Sequence, residues 1–467
     1  MDPMDSHYEL SSKAAPRTVP SGYISDDGLA APLIEETDSY KVRTATIAGS
    51  VFNLSNTIIG SGVLALPFAF KISGILLGNV FVIIVAILGF QSVNMIIRAE
   101  EAYRLRMGIA RHGTSSYGAL AQAALGNWGR YVTDGALVVN CFGGMASYLV
   151  ILADLLEPVF HFIVPSTAKW LNRTVIILTS LIILLPISSM KSMNALRFTS
   201  AIALCSIAYL VVLIIIKGGI SLGEGSLVDN DLSFASFTFE LFRTVPLISF
   251  AFTCHQNVMP VFNEVVDPTK SRMRKISFGA YMVCYIAYAT VATMGYFIFF
   301  DETDGNILNN WPHDNLYVVV ARIGVSLTIM FSYPMQAFPA LRIIERFFWP
   351  GKGWSWMRHE LCLIAIVLPQ VFIAIFVESV DLIFGLSGAI ASTTVCFILP
   401  GIFTLKLVDD ASPKFKFLAR TMVVLGAVFM VASAVVTVVY YIKDNDPNPF
   451  DPKPTVGPTA APGAYWP

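Results

Sequence analysis

Long uninterrupted apolar runs are the feature that most restricts how this chain can fold. Residues 80–89, extended on both sides, and residues 421–442 are clear examples. Roughly 20 helical residues cross about 30 Å of hydrocarbon, so apolar runs of about 18 or more read as membrane spans. Backbone N–H and C=O groups find no water there, so each run must be helical. Nothing suggests the two-residue alternation of a barrel strand. Of the 467 residues, 55% are hydrophobic and 13% are charged. Soluble proteins carry about 25% charged residues, and half that amount does not cover a soluble surface of this size.

Spans are expected at roughly 45–69, 73–97, 129–161, 173–189, 195–217, 240–262, 276–300, 314–341, 360–378, 382–405 and 419–442. This is an all-α polytopic protein of about eleven transmembrane helices. Residues 1–43 are rich in Ser, Pro and acidic groups and are expected to form a disordered cytoplasmic tail. The first apolar run lies behind that tail and is expected to be a retained span rather than a cleaved signal. The membrane domain is expected to cover 44–442, followed by a short outer or lumenal tail, 443–467. The mildly amphipathic stretch 115–125 suits a membrane surface.

Charge supports this count. With the N-terminus inside, 23 of the 31 Lys and Arg residues fall on the cytoplasmic side, the positive-inside pattern. One missed helix would scramble it. Arg322 lies within a span and is expected to snorkel to the outer interface, with pairing to an acid or a substrate carboxylate as the alternative. The outer loops lean acidic, and Asn172-Arg173-Thr174 on that side is a candidate glycosylation sequon. Cys141, Cys205, Cys254, Cys284, Cys362 and Cys396 fall in or beside apolar runs without a CxxC pair, as small buried hydrophobes do. No basic patch with interleaved aromatics points to nucleic acid. No metal cluster, nucleophile elbow or phosphate loop points to an enzyme or a bound cofactor.

Two spans are interrupted by polar residues. The first contains Asn53-Leu54-Ser55-Asn56-Thr57-Ile58-Ile59-Gly60-Ser61-Gly62 and closes at Pro67. The sixth contains Ser249-Phe250-Ala251-Phe252-Thr253-Cys254-His255-Gln256-Asn257, then Pro260. Glycine in a helix interior costs about 1 kcal/mol relative to alanine, and polar groups within spans mark function. The interruptions lie five spans apart, so the halves 44–217 and 240–405 run in opposite senses, with 419–442 added. Paired breaks in an inverted 5+5 repeat point to a midplane binding site. Half-helix N-termini offer N–H groups to a carboxylate, and freed carbonyls face an ammonium group or a cation. A zwitterionic amino acid satisfies both. Gly60, Ser61 and Gly62 are the candidate donors to the carboxylate, and Asn56 with the carbonyls of Ala251, Phe252 and Thr253 would face the amino group and the ion. Close helix packing is the plainer reading of Gly60 and Gly62. His255 is a candidate for pH sensing or proton transfer.

The run Val51-Phe52-Asn53 through Gly60-Ser61-Gly62 resembles the first-span signature of the amino acid/auxin permease family. It is closest to the sodium-coupled neutral amino acid transporter branch and its vacuolar relatives. Phe250–His255 with Pro260 resembles that family's sixth span. Arg322, Ser332, Pro334, Phe338-Pro339 and Arg342 resemble the eighth, and Asp381–Gly385 with Leu399-Pro400 the tenth. The resemblance implies an amino acid–polyamine–organocation-type fold and secondary transport by alternating access, coupled to Na+ or H+. In sodium-coupled members the ion sits between spans 1 and 8, which carries over to Asn56 and Ser332, with Thr328 one turn away. Simple back-bonding to helix carbonyls is the alternative for both hydroxyls. Gln336 departs from the family pattern, which is apolar there. The outer loops lack the paired cysteines common in cell-surface members. This favours a vacuolar or lysosomal membrane over the plasma membrane, although Leu33-Ile34 makes a poor sorting signal.

The expectation is a monomeric transporter of neutral amino acids in a lipid bilayer. A sensor of the same fold signalling through its tail, and a pore, are the rivals.

Overall fold

The structure, a computed structural model, describes residues 43–108, 115–163, 172–190, 197–224, 232–377 and 379–445. Nearly all of the expected tail 1–43, with Leu33-Ile34, lies outside the described residues. So do Arg111, Lys191 and most of 443–467.

The helices are α1 (Ile47–Ile59), α2 (Leu66–Ser73), α3 (Ile75–Met107), α4 (Tyr117–Ile163), α5 (Arg173–Ser188) and α6 (Arg197–Gly223). They continue with α7 (Leu241–Ala251), α8 (His255–Glu264), α9 (Lys270–Phe299), α10 (Leu316–Phe348) and α11 (Trp356–Phe376). The last two are α12 (Val380–Leu407) and α13 (Pro413–Asn445). Among the described residues, eight helices are long and apolar enough to cross a membrane, and the α1–α2 pair, bent by 51°, makes nine. The other two expected spans fall short of that measure for visible reasons. Helix α5 has only 16 residues, about 24 Å of rise. The sixth span is split into α7 and α8.

Several helices outrun the apolar runs that announced them. Helix α10 extends to Phe348 and α9 starts at Lys270, because helical hydrogen bonding continues where apolarity stops. Helix α4 starts ahead of the expected third span and is broken at Gly126 (φ 74°, ψ −167°), between the amphipathic stretch and that span.

Burial sorts the helices. The most apolar window of α4 is 78% buried and that of α13 is 22% buried, so α4 is central and α13 peripheral. Helix α4 packs most extensively on α10, α1 packs on α9, and α7 packs on the first π-helical turn of α12, Gly388–Ser392. A Cβ on Gly388 would stand 2.2 Å from the Pro246 carbonyl oxygen, so only glycine permits that approach. A second π turn, Thr394–Ile398, follows. Such wide turns shift the helix face and often mark functional sites. Before α1, the backbone of Ala45 bonds to Glu264 and Val266 at 3.1 Å each and ties the start of the span to the end of α8.

Two expectations are corrected. Arg322 does not snorkel. It is 1% exposed and donates to the carbonyls of Leu308 and Trp311 at 2.9 Å and of Pro312 at 3.4 Å. The loop before α10 folds back over it, which span position alone does not reveal. Among the six free cysteines, Cys205 is exposed on α6 while the others are buried.

Candidate functional site

The break between α1 and α2 starts at Gly60, whose φ of 26° and ψ of −135° end α1. A Cβ there would lie 2.6 Å from the Tyr148 hydroxyl. Gly60 thus answers both a left-handed backbone and a close approach. A Cβ on Gly62 would lie 2.8 Å from the backbone of Ala251, so the two breaks touch there. In the sixth span α7 ends at Ala251 and α8 begins at His255.

One side chain joins the breaks. The Tyr288 hydroxyl, on α9, lies 2.6 Å from the Ile58 carbonyl, 2.9 Å from that of Ala251 and 3.3 Å from that of Ile59. The Tyr281 hydroxyl donates to the Phe252 carbonyl at 3.3 Å, and its ring stacks on Phe252. Two of the three sixth-span carbonyls expected to face a ligand are therefore engaged by α9.

A cavity opens at the breaks. It is lined by Thr57, Ile58, Gly60, Ser61 and Gly62 from the first span and by Phe250, Ala251 and Thr253 from the sixth. Asn140 and Tyr148 of α4 and Gln336 of α10 form the facing wall. It has room for about one water. Among the described residues, no Asp, Glu, His, Lys or Arg lines it. Ser61 is 1% exposed and its hydroxyl has no hydrogen-bond partner among the described residues, a costly arrangement for a buried polar group unless something else meets it.

The remaining candidates surround this cavity. Asn56, 1% exposed, donates to the Met335 thioether at 3.3 Å and so meets α10. Asn257 reaches the same point, donating to Thr57 at 3.4 Å and to the Met335 carbonyl at 3.3 Å. The hydroxyl of Ser332 and the amide oxygen of Asn257 are buried without partners among the described residues. Thr328 back-bonds to the Gly324 carbonyl at 3.0 Å and reaches towards Ala203 of α6 at 3.4 Å. His255 is 1% exposed, with Nε2 at 2.8 Å from Ser92 and Nδ1 at 3.1 Å from Cys396. Cys396 lies 3.3 Å from Thr253, so His255 connects to the cavity wall through a thiol. The second π turn carries Cys396. Asn172 is exposed and caps α5, accepting from the Val175 N–H at 3.1 Å.

Asn140, Tyr148, Tyr281 and Tyr288 were not singled out from sequence. Tyr281, Cys284 and Tyr288 share one helix face by their spacing, and that repeated polarity in an apolar span was the available signal.

A helical bundle with two spans broken at facing positions, and an uncharged cavity where they meet, has the architecture of an inverted-repeat membrane transporter. Residues 43–442 match the family model described as transmembrane amino acid transporter protein, and the chain belongs to that family. It is 29% identical over 375 residues to vacuolar amino acid transporter 5 of Schizosaccharomyces pombe, covering 79% of this chain and 86% of that one. Among solved structures, a manganese transporter of Eremococcus coleocola superposes with a TM-score of 0.57 at 11% identity, covering 93% of this chain and 92% of that one. A Na+-coupled sialic acid symporter superposes with a TM-score of 0.53 at 14% identity, covering 85% and 90%. At such identities the likeness concerns the fold alone.

Proposed function

We propose that this protein is a secondary active transporter that moves neutral amino acids by alternating access, driven by a proton or sodium gradient. The observation that carries the reading is the uncharged cavity at the contact of the two breaks. Backbone groups of 60–62 and 251–253 suit the α-carboxylate and α-ammonium of a zwitterion. A charged ligand side chain would meet no counter-charge there.

For sodium, the supporting groups are Asn56, Ser332 and the nearby amide oxygen of Asn257, which are hard oxygen donors between spans 1 and 8. For protons, the supporting group is His255, linked to Thr253 through Cys396. The S. pombe relative and the absence of cysteine pairs in the outer loops support a vacuolar or lysosomal membrane, with the N-terminus cytoplasmic by its basic loops.

The test is uptake of radiolabelled amino acids into proteoliposomes of the purified chain under imposed sodium or proton gradients. Uptake that follows one gradient is expected and would identify the coupling ion. Saturable binding without uptake under any gradient would defeat the reading in favour of a sensor.

A further inference from the structure

The two sides of the cavity differ in chemistry. One is backbone from both breaks. The other is side chain, and it is polar: Asn140, Tyr148 and Gln336. Gln336 is tightly held. Its Oε1 accepts from Gln256 Nε2 at 2.9 Å, and Tyr148 lines the same cavity. Gly144, one turn before Tyr148, faces Gln336: a Cβ there would stand in van der Waals contact, 3.4 Å from the Gln336 amide carbon and nitrogen. Asn140 is fixed in turn by a 2.8 Å hydrogen bond from Ser392.

We infer that Gln336, positioned by Gln256, reads the side chain of the transported amino acid and selects uncharged side chains that hydrogen-bond, carboxamides and hydroxyls, over aliphatic ones. This rests on the transport reading above. A ligand whose backbone is held at 60–62 and 251–253 must direct its side chain to the α4–α10 wall. The cavity holds about one water, so a seated ligand is brought directly against Gln336 and Tyr148. An aliphatic side chain would take water from the Gln336 amide nitrogen and the Tyr148 phenol and give no hydrogen bond in return. A carboxamide or hydroxyl supplies one. Sites built around such pairing discriminate far more strongly than apolar pockets do.

The test is counterflow in proteoliposomes of the full chain, comparing glutamine, asparagine and serine with leucine and phenylalanine. Wild type should favour the polar set by about tenfold or more, and Gln336→Leu should bring the glutamine-to-leucine ratio close to unity. Gln256→Met keeps Gln336 but removes its anchor and should lower the ratio by a smaller factor. The ratio is read within one preparation, so it does not depend on how much variant folds. Gln336→Met serves if the leucine variant inserts poorly. A wild type that prefers leucine, or a ratio unmoved by every variant, overturns the inference and leaves transport standing. Failure to move any amino acid overturns the transport reading and the inference together.

Discussion

At Gly60 the backbone and a neighbouring side chain make separate demands, and they can be tested apart. Its positive φ disfavours any Cβ, and the Tyr148 hydroxyl fills the place where a Cβ would go. Gly60→Ala should destabilise the protein by about 1–3 kcal/mol and abolish uptake. Adding Tyr148→Phe relieves the contact but not the backbone, so the double variant should recover only part of the thermal stability in detergent. Full recovery would mean that contact alone matters at this position. Asn56 makes a different case. Its buried amide meets Met335 across the span 1–span 8 boundary. Asn56→Ala should insert normally in the membrane and lose uptake, and a variant that transports at the wild-type rate would remove Asn56 from the site.

Among the elements, α9 does what neither broken span does for itself. A helix break leaves carbonyls without intrahelical partners, and Tyr288 meets those of Ile58 and Ala251 with one hydroxyl. Tyr288→Phe keeps the ring, which packs edge-on against Phe252, and removes only that hydroxyl. The expected cost is about 1–3 kcal/mol for stranding buried acceptors, seen as a lower unfolding midpoint, with uptake falling more than expression. An unchanged midpoint would mean that the breaks are held by packing alone. The breaks themselves were legible in the sequence, because Asn53 to Gly62 and Ser249 to Asn257 place polar groups and glycines where an apolar helix should continue. What stitches them was not. The face shared by Tyr281, Cys284 and Tyr288 can be read from spacing, but what that face meets depends on how α9 packs. Arg322 failed for the same reason, since its partners belong to a loop that returns only in three dimensions. The π turns of α12 were also hidden, because they accompany a close contact between Gly388 and the Pro246 carbonyl rather than a local motif.

For the whole molecule, a cavity with room for about one water cannot admit an amino acid without a path opening at one end of the bundle. At the end assigned inward by charge, the backbone of Ala45 is bonded to Glu264 and Val266, and Lys270 pairs with Glu101 at 2.8 Å. At the opposite end, Arg243 of α7 pairs with Asp381 of α12 at 3.1 Å. One turn further along α12, Phe384 meets Phe250 with ring centroids 4.7 Å apart. The second closure depends on an ion pair and a ring contact. Arg243 and Asp381 are 11% and 21% exposed, against 49% and 45% for Lys270 and Glu101, so salt screens the outer pair less than the inner one. A loss of about 1 kcal/mol in the closed state changes an open fraction by about fivefold. A cysteine placed at Ser61, in a Cys205→Ser background, reports on that path through an impermeant thiol reagent applied from the Arg243 side. Asp381→Asn should speed labelling by about fivefold or more. High salt should speed it only slightly in the protein with Asp381 and not at all in Asp381→Asn. Equal rates in both at low salt would assign the closure to Phe250, Phe384 and the close contact at Gly388, and would leave the ion pair no part in gating the cavity.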